Sequence, residues 1–436
     1  MQPQPATPVA GAAPGTSRLA LVVVTSIFFM WGFLTCLNDI LIPHLKASFE
    51  LSWVQAMLIQ FTFFGAYFLM SLPAGRLVSA LGYKRGIVAG LLVAGVGALM
   101  FWPAAGLHAY PLFLGALFVL ATGITVLQVA ANPYVALLGP ERTSHSRLTL
   151  AQSMNSLGTT IAPLFGGLLI LAAAPPSPEQ IAVMPAAEAL AWRTSQAQAV
   201  QGPYLGLAVT LFVLAAIVMA FRLPAIRGVE DLAHDRRYRI ADVLRHPHVL
   251  FGVLAIFFYV GAEVSIGSVL VNYLSMPEIG RGLTEQQATT YVSMYWGGAL
   301  VGRLAGSFLL AKMDPRRVLA AFAAIAAMLL LVTMSTSGDL AKWSVVSIGL
   351  FNSIMFPTIF ALGIERLGPM TGKASSLLIM AIVGGAVVPL ATGWLADTQG
   401  LQQSLALPLV CYGYIVFYGL RGSRVRDLDT APAMRA

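Results

Sequence analysis

The chain has 436 residues, 58% of them hydrophobic and only 10% charged, with a mean hydropathy of +0.79. A soluble domain carries about 25% charged residues, so a water-soluble globular protein is excluded. The net charge of +8 does not point to nucleic acid, because the basic residues sort by membrane side.

The opening stretch, MQPQPATPVAGAAPG, is rich in Pro, Ala and Gly and has no basic segment ahead of a short apolar core. It reads as a flexible tail, not a signal peptide. Apolar runs of about 20 residues, enough to cross a bilayer, then fall near 19–45, 53–81, 85–106, 110–138, 148–174, 203–225, 250–276, 285–312, 316–335, 340–364, 374–397 and 402–420. Twelve such runs predict an all-α polytopic membrane protein. The expected layout is a tail (1–17), a six-helix bundle (18–226), a cytoplasmic linker (227–249), a second six-helix bundle (250–420) and a tail (421–436).

With both termini placed in the cytoplasm, inside segments hold 21 of the 26 Lys and Arg residues. Outside connections hold Lys46, Arg193, Arg281 and Lys342, and Arg303 alone falls within a span. This is the positive-inside pattern, and the expected location is a bacterial inner membrane. Cys36 and Cys411 both fall in spans and read as small buried thiols.

The halves repeat weakly. FFMWGFLTCLNDILIPHL (28–45) aligns with FFYVGAEVSIGSVLVNYL (257–274), and AGRLVSALGYKRGIVA (74–89) with AGSFLLAKMDPRRVLA (305–320), at nearly equal offsets. Parallel six-helix halves with a site between them follow from that pattern. The second segment also resembles the GxxxDRxGRR loop of the major facilitator superfamily. It has Ser79 in place of the aspartate and keeps Lys84 and Arg85 as its basic pair. With Arg142 and Arg303, these are the candidate gating residues. Arg303 lies near the cytoplasmic end, where it could also simply snorkel.

Polar side chains inside spans are costly and tend to mark pathways. In FLTCLNDILIPHL the residues Trp31, Thr35, Asn38 and Asp39 share a helix face. Span four carries Thr125, Gln128 and Asn132 in LQVAANPY, where Pro133 should bend the helix and free backbone groups. Span five carries Gln152, Asn155 and Thr159. The second half offers Tyr259, Glu263, Tyr291, Tyr295, Trp296, Asn352 and Ser353. Amides donate to and accept from hydroxyls, and aromatic rings cover the apolar face of a sugar, so a neutral polyol is the expected cargo. The absence of a second basic residue within the spans argues against phosphate or dicarboxylate cargo.

Each candidate has a plainer explanation. Hydroxyls such as Thr125, Ser153, Ser156 and Thr159 also hold helices together, and tyrosines and tryptophans pack. Asp39 is different, because a buried carboxylate needs a cation partner and none stands in the neighbouring spans. Proton coupling through Asp39, with Glu263 as a second acid, is therefore the expectation. Burial raises a carboxyl pKa toward the working pH. Thr35, Asn38 and Asp39 could equally surround a sodium ion.

Taken together, LNDILIPHL, LQVAANPY, LGPERTSHSRLTLAQSMNSLG, YVGAEVSIGS and FPTIFALGIERLG resemble the fucose:proton symporter family of the major facilitator superfamily, most closely its glucose/galactose transporter branch. The resemblance runs from about residue 25 to about 420. It implies a twelve-helix fold, alternating access and proton-driven sugar uptake. It also implies a coupling role for Asp39 and a sugar contact for Asn155. Where fucose symporters read LETAANP and YVGAQ, this chain has Gln128 and Glu263. Neither fucose nor that branch's coupling scheme is therefore carried over.

The expected sugar contacts are Trp31, Asn38, Gln128, Asn132, Gln152, Asn155, Glu263, Tyr295, Trp296 and Asn352. The chain is read as a monomer in the lipid bilayer, with a small sugar as partner and no cofactor, metal or nucleic acid. An enzyme is not expected, since no nucleophile–base set or nucleotide motif appears. The rival reading is proton-driven efflux, which GTTIAPLFGG (158–167) supports by its likeness to an antiporter signature.

Overall fold

The computed structural model describes residues 22–36, 49, 53–107, 109–169, 185, 188, 194–195, 198, 200–221, 223, 238–283 and 285–425. Asn38 and Asp39, the tails 1–17 and 426–436 and most of the linker lie outside these residues. The helices are α1 (Val22–Cys36), α2 (53–81), α3 (83–106), α4 (Tyr110–Leu137), α5 (Ser144–Leu169), α6 (Gln201–Ala220) and α7 (Pro247–Ser275). They continue with α8 (Glu285–Lys312), α9 (Pro315–Ser335), α10 (Gly338–Gly363), α11 (Gly368–Gln399) and α12 (Leu401–Gly422). A five-residue helix, Ile240–Leu244, precedes α7; Asp242 accepts from the backbone N–H of Arg239 at its start.

Each of the twelve expected spans has a helical counterpart. α2 and α3 have no loop between them. The helix Trp53–Gly106 turns at Gly82, where φ is 76°, a left-handed value that favours glycine. A Cβ on Gly86 would lie 3.0 Å from Val78. Eight residues along a straight helix span about 12 Å, so the chain has folded back on itself.

Among the described residues α1, α5 and α8 fall outside the helices long and apolar enough to cross a membrane, α1 because its described part is short, α5 and α8 although they are long. The latter two carry polar stripes, and they pack against each other between the halves. The halves also meet through α2 with α11, α4 with α11, and α5 with the second part of α10. Glycines allow the closest approaches. A Cβ on Gly75 of α2 would fall 2.0 Å from Ser376 Oγ of α11, across the halves; within the second half, one on Gly302 of α8 would fall 2.4 Å from the carbonyl oxygen of Leu350 in α10.

The basic connections gather at one end of the bundle. Gly139, Arg142, Arg316, Glu365 and Arg366 line one cavity there. Lys84 donates to the carbonyl of Met219 at the end of α6 (2.8 Å), and Lys373 donates to the carbonyl of Tyr238 in the linker. At the opposite end Asp339 pairs with Lys342 (2.6 Å) and lies 3.8 Å from Arg281.

Candidate functional site

Two polar clusters lie at the centre of the bundle, one in each half. In the second half the hub is Asn352, fully buried on α10. Its Nδ2 donates to the hydroxyl of Tyr295 on α8 (2.8 Å), and its Oδ1 accepts from Tyr412 on α12 (2.7 Å). The Tyr259 hydroxyl lies 2.7 Å from Glu263 Oε1 and 3.2 Å from the carbonyl of Asn352, so it is shared between them. Residues 259 and 263 are one helical turn apart, which stacks them on one face of α7. The ring of Trp296 meets Tyr295 edge-on at 5.2 Å between centroids. Glu263 as a residue is half-buried, with one carboxylate oxygen held by the Tyr259 hydroxyl.

In the first half, Gln128 donates to the Tyr67 hydroxyl on α2 (2.8 Å), and Gln152 donates to Asn132 Oδ1 (3.3 Å). Asn155 donates to the carbonyl of Phe28 on α1 (3.2 Å). The Nδ2 of Asn132 is buried with no partner. Trp31 is buried against Phe28, their rings 4.7 Å apart. Thr35, Thr125 and Thr159 turn their hydroxyls back to carbonyls of their own helices.

Arg303 joins the two halves. It does not snorkel toward the bilayer surface. Its Nε donates to the carbonyl of Ser353 (3.0 Å), while Nη1 reaches across to the carbonyl of Gln152 (3.3 Å) and the hydroxyl of Ser156 on α5. The Ser353 carbonyl is available because Pro357, four residues on, has no N–H to bond it. The same logic operates in α4. Pro133 leaves the carbonyl of Val129 without its helical partner, and Ser375 of α11 donates to it at 3.2 Å. The helix is interrupted chemically at Pro133 but remains continuous from Tyr110 to Leu137.

Of the residues expected from the sequence, Glu263, Tyr295, Trp296 and Asn352 come together in the second half. Gln128, Asn132, Gln152 and Asn155 form a separate cluster in the first. Lys84 bonds within the first half only, while Arg85 and Arg142 are exposed at the basic end. Sequence reasoning missed Tyr67 and Tyr412, whose phenols sit in otherwise apolar runs. It also missed Arg147, which donates to the carbonyls of Val135 and Ala136 (2.6 Å to the latter) and so caps the end of α4.

A sequence profile of the Major Facilitator Superfamily matches residues 19–389. The chain is 52% identical over 405 residues to a glucose/galactose transporter of Brucella abortus, covering 93% of this chain and 94% of that one. It is 36% identical over 414 residues to the L-fucose-proton symporter of Escherichia coli, covering 93% and 94%. The crystal structure of the major facilitator transporter FucP in its outward conformation superposes with a TM-score of 0.85 at 35% identity. That match covers 94% of this chain and all of the other.

Proposed function

This chain belongs to the major facilitator superfamily, and from that premise we propose that it imports a neutral hexose of the glucose or galactose type by proton symport. The observation that carries the proposal is the cluster of Glu263, Tyr259, Asn352, Tyr295 and Tyr412 set against Arg303 at the junction of the halves. Carboxylate, amide and phenol groups offer acceptors and donors to a polyol, and Trp296 offers an aromatic edge. The named relatives, a glucose/galactose transporter and a fucose-proton symporter, support sugar as cargo.

In this reading the basic end faces the cytoplasm, following the positive-inside rule. The contacts between the halves (Gly75 against Ser376, Ser375 with Val129 and, deeper in the bundle, Arg303 with Gln152) hold the cytoplasmic side closed while the sugar enters from outside. Asp39 takes the proton from outside; once neutral, it can move with its helix bundle at lower cost. Sugar binding at Glu263 and Asn352 then accompanies release of the Arg303 contacts and opening of the inner side. Glu263 serves the sugar and senses Arg303, which lies within electrostatic range of it.

The test is counterflow of labelled glucose and galactose in proteoliposomes of the purified protein. Exchange of either hexose supports the reading. Exchange of neither, with extrusion of a cationic drug instead, contradicts it.

A further inference from the structure

Gly267 lies well inside α7, where a glycine weakens a helix relative to alanine. The reason for it stands on the neighbouring helix. A Cβ on Gly267 would lie 3.1 Å from the six-membered ring of Trp296 on α8, inside ordinary van der Waals distance. The bare backbone of α7 is thus the seat of the indole. Tyr295 meets Trp296 edge-on at 5.2 Å between centroids, and the Tyr295 hydroxyl is itself fixed by Asn352. The indole is therefore held by two neighbours before any ligand arrives.

Helix geometry gives the direction in which that indole looks. Trp296 and Arg303 are seven residues apart and share one face of α8. From that face Arg303 reaches across to Gln152 and Ser156 of α5 in the first half. Trp296 therefore also looks toward the first half, about 10 Å nearer the end opposite the basic one. On α7, Glu263 and Gly267 are one turn apart on a shared face. Glu263, Gly267 and Trp296 are all half-buried, whereas Tyr259, Tyr295 and Asn352 behind them are buried. The indole thus stands on the outer side of the second-half cluster, one turn beyond Glu263.

We propose that Gly267 is a positioning residue for sugar selection: it seats the Trp296 indole where the ring covers the C–H face of a pyranose whose hydroxyls bond the second-half cluster. Aromatic rings supply large apolar contact with a defined geometry, and a closed sugar ring has a rigid apolar face that an open-chain polyol lacks. A side chain at position 267 displaces the indole from its seat. The pyranose then loses its apolar contact while the polar groups of the cluster stay in place. This inference deepens the proposed hexose transport and rests on it.

The test is KM and turnover for labelled glucose and galactose in proteoliposome counterflow. For the hexose that the parent exchanges, Gly267→Val should raise KM at least about tenfold, the scale of one lost ring contact, with turnover at saturation unchanged. Thermal stability should not fall, since valine is the better helix former. Gly267→Ala asks the ring to yield by only a few tenths of an ångström and should raise KM less; it carries the test if the valine variant fails to fold. Trp296→Phe provides the rescue. Its smaller ring leaves room at the seat, so adding Gly267→Val to Trp296→Phe should leave KM nearly unchanged, a non-additivity expected of residues in contact. The matching hexitol, with hydroxyls but no closed ring, should compete poorly in the parent, and its disadvantage should shrink in Gly267→Val.

An unchanged KM in both Gly267 variants overturns the proposal, as does the same loss with and without Trp296→Phe. A fall in turnover at constant KM makes Gly267 a packing residue for helix movement and overturns it too. So does a hexitol that competes as well as the hexose in the parent. A parent that exchanges neither hexose sinks the transport reading and this inference with it, whereas an active parent indifferent to position 267 sinks the inference alone.

Discussion

Ser375 of the second half donates its hydroxyl to the carbonyl of Val129 in the first, 3.2 Å away, and that carbonyl is free because Pro133 cannot bond it. A proline kept inside a spanning helix thereby creates a docking point for the other half. A neutral hydrogen bond contributes about 0.5–1.5 kcal/mol. Ser375→Ala should destabilise the state closed at the basic end by that amount. External hexose affinity, measured by binding to the purified protein, should fall about two- to tenfold. Unchanged affinity would mean that the bond does not bias the two states.

Gly75 makes a sharper version of the same prediction. A methyl group there would lie 2.0 Å from Ser376 Oγ, so Gly75→Ala acts as a wedge between α2 and α11. Overpacking of this kind costs about 1–3 kcal/mol and should shift the protein toward the state open at the basic end. Labelling of cysteines introduced near that end should rise. Adding Ser376→Ala removes the clashing oxygen and should return labelling toward the parent level.

Asn352 holds the second-half cluster together. Asn352→Ala leaves the buried hydroxyls of Tyr295 and Tyr412 without their partner, at about 1–3 kcal/mol for each unsatisfied group. Hexose binding should weaken by more than tenfold, whereas Tyr412→Phe, which removes a donor and leaves one acceptor of Asn352 unfilled, should weaken it less. Equal effects of the two would show that Asn352 does not act as the hub.

At the basic end, Arg316 and Glu365 form an ion pair whose side chains are 27% and 17% exposed. Burial pushes the Glu365 carboxyl up, and the adjacent guanidinium pulls it down. Fully exposed pairs couple by about 0.2–1 kcal/mol. A double-mutant cycle of Arg316→Met and Glu365→Gln on thermal stability should exceed that range while staying below about 3 kcal/mol. A coupling near zero would remove the pair from the account of how α9 is held to the α10–α11 connection.

Much of this architecture was legible in the residues. The spans showed because apolar runs of bilayer length leave little ambiguity, and the polar stripes on α5 and α8 stood out against that background. Those stripes are also why these two helices are the least apolar. Glu263, Asn352, Gln128 and Gln152 were recognisable because amides and acids are rare in spans. Tyr67 and Tyr412 were not, since a tyrosine in an apolar run looks the same whether its hydroxyl completes a site or only packs. Arg303 stood among the candidate gating residues, but with two readings open, gating or snorkelling. Sequence position placed it near a membrane face, but only the packing of α8 against α5 shows that its guanidinium spans the halves. The role of Pro133 was half visible: the freed carbonyl was expected, but not the serine from the other half.

Asp39 carries the central claim, since proton coupling is proposed through it. The most direct measurement is accumulation of labelled hexose in proteoliposomes under an imposed proton gradient, compared between the parent and Asp39→Asn. The parent should accumulate hexose and lose accumulation with a protonophore, and Asp39→Asn should exchange hexose in counterflow without concentrating it. Normal accumulation by Asp39→Asn, or accumulation by the parent that needs sodium and ignores the protonophore, would contradict the account.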